Sequence, residues 1–350
     1  MTNNTVLFRC NASLQTGSGH VMRCLTLAKE LFNKGINAVF LTDEGGKKVI
    51  EQFAACPIHT ELRDEGFTEY EQLGSTIIEH HARYMVWDSY DIESGDEIII
   101  SGLVPVMIID DTYLLPSYSC DAILNQNIYA DAIRYNLADS RIEVLAGSSY
   151  TLLREPFRRY SDTTKYISAV VHKVVVTFGG SDPENLTLRM IDILEQFQDH
   201  PLDIGIVLGS HYAFEESIQI RLLKNPYHKY RLYRNVIAMA ELLWEQDYVI
   251  TASGSTMYEL AILGIPSTCI VTADNQLKVA QSFDEQGATI YGGNADSLNI
   301  EKFVSEFRNI IHNFIARQEM SIAGRKLIDG NGVRRVANYI MDRMNVRELI

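Results

Sequence analysis

The sequence predicts an α/β protein built from two doubly wound, Rossmann-like units in tandem, and three observations carry that expectation. Short apolar runs of strand length alternate with segments whose apolar residues recur every three or four positions, the patterns of a buried parallel strand and an amphipathic helix. The alternation lapses between Arg154 and His172, where charged and polar residues and Pro156 interrupt it, and restarts at Lys173-Val174-Val175-Val176-Thr177-Phe178. Each half also sets a glycine-rich turn between its first strand and its first helix. The expected organisation is an N-terminal unit over 1–153, a linker over 154–172, and a C-terminal unit over 173–350 that includes the terminal helices. A crevice between two such units facing each other is a common place for an extended small molecule.

The elements follow in order. In the first half, strands are expected at Val6 to Arg9, Ala38 to Thr42, Tyr84 to Trp87, Val104 to Ile109 and Ala122 to Leu124. Helices are expected from His20 to Asn33, ended by Gly35, then near Lys47 to Ala54 and Glu69 to His81. In the second half, strands are expected at 173–178, 204–208, 248–250 and 268–271. The helix after the first of these is expected to begin near Glu184, with Asp182 as N-cap and Pro183 in the first turn. Beyond Ile300 the chain reads as helical.

Composition narrows the function. With 350 residues, 46% of them apolar, the chain is long enough for two full cores. A net charge of -14 without basic patches argues against nucleic acid as a partner. No apolar run approaches the length of a membrane span, and Met1-Thr2-Asn3-Asn4 does not open a signal peptide, so a cytoplasmic location is expected. The five cysteines are scattered and never form CxxC, which fits reduced, mostly buried thiols.

The stretch Gln15-Thr16-Gly17-Ser18-Gly19-His20-Val21-Met22-Arg23 follows the first strand. Gly17 and Gly19 allow close backbone approach to a ligand, and His20 falls at the positive start of a helix, where a neutral imidazole can accept a proton. Met22 occupies the place of the third glycine of GxGxxG, which argues against a dinucleotide-dependent oxidoreductase. The other strands of the first half end in Asp88-Ser89-Tyr90-Asp91, Asp110-Asp111 and Asn125-Gln126-Asn127, clusters that a parallel sheet gathers on one rim. By residue type alone each also fits a structural role. His20 can cap its helix, Tyr90 can be a half-buried aromatic, and Asp110, Asp111, Asn125 and Asn127 can be turn residues. His80-His81 reads as solvated surface.

These motifs occur together in a known order: Gly17-Ser18-Gly19-His20 with Met22-Arg23, Asp88-Ser89-Tyr90, Asp110-Asp111, Leu124-Asn125-Gln126-Asn127, Leu153-Arg154-Glu155, Phe178-Gly179-Gly180-Ser181-Asp182 and Ala273-Asp274-Asn275-Gln276. In this succession, from about Val6 to Gln286, the chain resembles the UDP-sugar hydrolases of bacterial pseudaminic acid synthesis, which act on a UDP-diacetamido-trideoxy-altropyranose, and the related spore-coat polysaccharide proteins. The resemblance implies the glycosyltransferase B fold, with sugar binding and catalysis in the first unit and UDP in the second. It maps catalysis onto His20 and Tyr90. The sugar side maps onto Asn11, Gly17, Gly19, Arg23, Asp110, Asp111, Asn125, Asn127 and Asn275. The nucleotide side maps onto Gly179, Gly180, Ser181, Ser253, Gly254, Ser255, Thr256 and Glu259.

Backbone N–H groups and hydroxyls at helix starts suit a diphosphate, and a carboxylate suits ribose hydroxyls. The implied reaction is attack of water on the anomeric carbon with inversion, without metal or cofactor; the sequence holds no HExxH motif and no His/Cys cluster. Arg9-Cys10-Asn11 stands where the family has Arg-Ala-Asp, Gly-Ser-Gly-His where it has Gly-Leu-Gly-His, and Ser89-Tyr90 where it has His-Tyr. These departures leave the sugar open. A glycosyltransferase of the same fold, or a non-catalytic sugar-nucleotide-binding protein, would share most of the motifs.

Overall fold

A computed structural model describes residues 4–12, 18–92, 96–135, 137, 140–209, 211–224 and 226–346. The chain divides into two compact units, one of residues 1–154 with 330–350 and one of residues 155–329.

Unit 1 runs β1 (Thr5–Cys10), α1 (Gly19–Phe32), β2 (Asn37–Thr42), α2 (Glu44–Phe53), β3 (His59–Leu62), α3 (Glu69–Glu79), β4 (Ala82–Asp88), α4 (Asp96–Ser101), β5 (Val106–Ile109), β6 (Ala122–Asn125) and β7 (Glu143–Ala146). These strands form a seven-stranded parallel sheet in the order β3-β2-β1-β4-β5-β6-β7. Val6, Leu7 and Phe8 of β1 are fully buried, because central parallel strands are covered on both faces and so must be apolar throughout. The order reverses between β1 and β4. At such a reversal in a parallel sheet, connections leave the two strands towards opposite faces, and ligands commonly bind outside the carboxyl ends of those strands.

Unit 2 runs α5 (Glu155–Arg158), β8 (Lys173–Thr177), α6 (Leu186–Leu194), β9 (Asp203–Leu208), α7 (Glu215–Leu222), β10 (Lys229–Arg234), α8 (Met239–Trp244), β11 (Tyr248–Ala252), α9 (Thr256–Leu263), β12 (Ser267–Val271), α10 (Leu277–Glu285), β13 (Ile290–Asn294), α11 (Ile300–His312) and α12 (Phe314–Leu327). Its six parallel strands are ordered β10-β9-β8-β11-β12-β13, and the reversal lies between β8 and β11.

Three expectations change. The last helix, α13 (Gly332–Val346), belongs to unit 1 and not to the C-terminal unit. Its Val333, Val336, Ala337 and Ile340 are fully buried in one core with Val21, Cys24, Ala28 and Leu31 of α1. The chain returns so tightly at Gly332 that a Cβ there would lie 2.4 Å from the Thr151 carbonyl oxygen. Second, the segment 155–172 is strapped onto unit 2 instead of serving as a free linker. Phe157 is buried, the Tyr160 ring packs on Trp244 at 4.4 Å, and Arg325 donates to the carbonyls of Ser161 and Thr163. Third, α6 starts at Leu186, later than expected, because Asp182 and Asn185 both adopt left-handed backbone. Asp182 still caps the helix, accepting from the N–H groups of Leu186 and Thr187 at 2.8 Å each.

Candidate active site

The site of unit 1 is built on Asp88, the last residue of β4, whose side chain is fully buried. His20 and Arg23 stand one turn apart on α1, so both side chains face the same point. His20 Nδ1 lies 2.7 Å from Asp88 Oδ1, and Arg23 donates from Nε to Oδ2 and from Nη2 to Oδ1, each at 2.6 Å. Burial pushes the Asp88 carboxyl up, but Arg23 and His20 outweigh it and hold it well below the ordinary carboxylate range. The remaining Arg23 nitrogen, Nη1, donates to Asp111 Oδ2 at 2.6 Å, and Asp111 Oδ1 accepts from Asn127 Nδ2 at 3.1 Å. Strand ends β4, β5 and β6 are thereby tied to α1.

With Nδ1 against a carboxylate, the imidazole keeps Nε2 as its basic nitrogen, the arrangement of a histidine base held by an acid. Tyr90 packs on His20 edge to face, with ring centroids 4.6 Å apart at 83°. The N-cap of α1, Ser18, makes no side-chain cap, and the first turn holds no acid. Its amide groups therefore keep their partial positive charge beside His20.

The other expected residues divide. Asp111, Asn127 and Arg23 join this network. Asp110 and Asn125 make their hydrogen bonds within their own loops instead. Asp110 is buried and accepts from Thr112 N at 2.8 Å, Leu114 N at 3.0 Å and the Tyr118 hydroxyl, so its carboxylate shapes its own loop. Asn125 donates to the Tyr135 hydroxyl at 2.8 Å and accepts from Asn127 N at 3.1 Å. Asn11 accepts from Arg9, whose buried guanidinium pairs with Glu69, so its amide nitrogen is what it has to offer a ligand. Gly19 opens α1, and a Cβ there would meet nothing within 4 Å. Gly17 lies outside the described residues.

Cys10 and Cys24 are fully buried packing residues, with the Cys24 thiol 3.6 Å from Asp88 Oδ2. Asp88 itself went unassigned in the sequence; its place at the end of a buried strand was the available signal. His80 is half-buried against Glu61, contrary to its reading as solvated surface.

In unit 2 the expected nucleotide loops stand at the switch point. Gly179, with φ +83°, and Gly180 follow β8, and Ser253 and Gly254 follow β11. Neither Gly180 nor Gly254 has a positive φ, and a Cβ on either would meet nothing within 4 Å. The fold does not demand glycine at these two positions, and the space before them is open. The Ser253 hydroxyl is buried with no hydrogen-bond partner among the described residues. Ser255 precedes α9 without capping it, and Thr256 and the buried Glu259 lie in its first turn. Ser181 is half-buried beside the glycines, and Asn275 is exposed in the short turn after β12. Sequence reasoning missed Gly209, where a Cβ would lie 2.2 Å and 2.4 Å from the carbonyl oxygens of Gly180 and Gly179. His211 N also donates to Gly180 O at 3.1 Å, so the loop after β9 props the glycine turn from below.

Two parallel α/β units with their loops arranged in this way define a glycosyltransferase B fold. MurG from Acinetobacter baumannii has the same architecture, with a TM-score of 0.69 over 97% of this chain and 99% of that one at 15% identity. By sequence the chain is similar to members of the family its motifs resemble. It is 27% identical to the UDP-2,4-diacetamido-2,4,6-trideoxy-β-L-altropyranose hydrolase of Campylobacter jejuni over 81% of this chain and 97% of that protein. It is 26% identical to the spore coat polysaccharide biosynthesis protein SpsG of Bacillus subtilis over 63% of this chain, and the match spans 65% of the length of SpsG. No protein-family model matches the chain. No described helix is long and apolar enough to cross a membrane.

Proposed function

We propose that this chain is a nucleotide-sugar hydrolase that cleaves the anomeric C–O bond of a UDP-diacetamido-trideoxyhexose, releasing UDP and the free amino sugar. The observation that carries the proposal is the contact between Asp88 and His20 Nδ1, which fixes the tautomer that leaves Nε2 to take a proton from water. UDP is a good leaving group, so the demanding step is to place and polarise that water. Attack opposite the departing UDP inverts the anomeric carbon, by the geometry that governs inverting glycosidases.

Tyr90, on the edge of the imidazole, would orient His20 or the water. Arg23, Asp111, Asn127 and Asn11 offer donors and acceptors suited to hydroxyl and acetamido groups. In unit 2, the open glycines Gly179, Gly180 and Gly254, with Ser181, Ser253, Ser255 and Thr256, would hold the diphosphate and Glu259 the ribose. Asn275 would reach the sugar. The relationship to the altropyranose hydrolase supports this substrate class.

The test is UDP release from a panel of UDP-amino sugars, with and without added acceptors. Release without acceptor, abolished in His20→Ala while calorimetry shows UDP still bound, is the expected result. Release that requires an acceptor would make the chain a glycosyltransferase. UDP binding without turnover on any sugar would make it a binding protein.

A further inference from the structure

His59 and Glu61 lie two residues apart on β3, so strand alternation puts them on one face, and His80 caps the end of α3 beside them. One ligand atom from each of the three lies within 4.8 Å of the others, and this is the one such group among the described residues. Both histidines turn Nε2 towards the same oxygen. His80 Nε2 contacts Glu61 Oε1, and His59 Nε2 lies 3.8 Å from it. The imidazole rings pack with centroids 4.6 Å apart. The other carboxylate oxygen, Oε2, accepts from the Thr76 hydroxyl at 2.8 Å, which fixes the carboxylate as an outer-shell partner does in metal sites.

We infer that His59, Glu61 and His80 form a binding site for Zn²⁺ or a neighbouring first-row dication. Two imidazole nitrogens and a carboxylate oxygen are the donors such ions take, with a water left to complete a tetrahedron. Bonds of about 2.0–2.2 Å put tetrahedral ligand atoms roughly 3.4 Å apart, a spacing that falls between the closer His80–Glu61 contact and the 3.8 Å His59–Glu61 separation.

The site has a structural consequence. Strand β3 is an edge of the sheet and pairs with β2 alone, and α3 runs from Glu69, which meets Arg9, to the opposite end at His80. A dication here clips the edge strand to the far end of α3, about 16 Å of helix from the Arg9 contact. It is a site apart from the His20–Asp88 pair, and the sequence hid it because His80 lies 21 residues from His59.

The experiment titrates the metal-free full chain with Zn²⁺ by calorimetry and with Co²⁺ by visible absorption. Wild-type protein is expected to take up one ion, with a tetrahedral cobalt band, a higher melting temperature on zinc addition, and weakening towards acid pH, since both imidazoles must be neutral to bind. His59→Asn and His80→Asn should each lose roughly 100-fold or more in affinity, beyond the 10–100-fold that outer-shell changes cost. Adjacent His81→Asn should bind as wild type, and circular dichroism establishes that the histidine variants are folded. Absence of zinc uptake by wild-type protein, or wild-type uptake by a folded His59→Asn/His80→Asn double variant, would overturn the inference.

Discussion

Asp88 Oδ1 lies 2.7 Å from His20 Nδ1 and 2.6 Å from Arg23 Nη2, so one buried carboxylate oxygen orients an imidazole and receives a guanidinium. The histidine contact sets a tautomer, and the arginine contact keeps the carboxylate charged.

Asp88→Asn keeps the side-chain volume but offers an amide where a carboxylate stood. UDP release should fall by about 10²–10⁴-fold in kcat, the range for loss of a base or of its orienting acid. UDP affinity, assigned to unit 2, should be unchanged. Steady-state release assays beside calorimetry separate the two, and an Asp88→Asn enzyme with wild-type kcat would remove Asp88 from the mechanism.

The same carboxylate links stability to pH. Its folded-state pKa is depressed despite burial, so its contribution is complete above the ordinary aspartate value of about 3.9 and is lost as pH falls from there towards the folded value. Glu69 acts in the same sense: burial raises its pKa, but Arg9 and Arg63 lower it further. Arg23→Met leaves Asp88 buried without its main partner, at a cost of about 3–5 kcal/mol near neutrality. Urea denaturation across the acid range should show the gap between wild type and Arg23→Met narrowing as pH falls. A gap that stays constant would show that Asp88 does not titrate with unfolding.

Two glycines in unit 2 should behave oppositely on substitution by alanine. At Gly180 the φ is ordinary and the space open, so stability should hold or rise by up to about 1 kcal/mol while the added methyl weakens UDP binding. At Gly209 the methyl would overlap two carbonyl oxygens, so stability should drop by about 1–3 kcal/mol and UDP binding should weaken as the glycine turn shifts. Thermal melts and calorimetry on both variants provide the comparison. Unchanged UDP affinity in Gly180→Ala would place the diphosphate elsewhere.

Ile340 is fully buried in the core it shares with α1. Ile340→Ala should cost about 2–5 kcal/mol, and the loss should fall on unit 1 although the residue lies near the end of the chain. Hydrogen exchange should speed up in α1 and β2 and stay unchanged in β8 and β11. Faster exchange in unit 2 instead would contradict the assignment of α13.

The central strands were legible because they are apolar throughout. β1, β2, β4, β5 and β6 of unit 1, and β8, β9, β11 and β12 of unit 2, all announce themselves as runs such as Lys173 to Phe178. The strands that escaped notice, β3, β7, β10 and β13, are the edges of the two sheets. An edge strand is less covered and carries polar residues, as in Lys229-Tyr230-Arg231-Leu232-Tyr233-Arg234, so it lacks the signal by which its neighbours are found. Asp110 and Asn125 looked as suitable for a ligand as Asp111 and Asn127, because residue type and position at a strand end are the same for both pairs. What separates them is which way each side chain turns, and that depends on Tyr118 and Tyr135, which come from later loops.

The sequence by itself determined the alternation of strand and helix, the division into two α/β units, and the glycine turns and polar clusters at the strand ends, because these depend on local periodicity and turn chemistry. Only the tertiary structure decided that Asp88 and not Asp110 or Asp111 meets His20, that α13 closes the first core, and that His59, Glu61 and His80 converge. Each of these joins residues far apart in the chain, and such contacts are chosen by sheet order and side-chain direction, which no local pattern encodes.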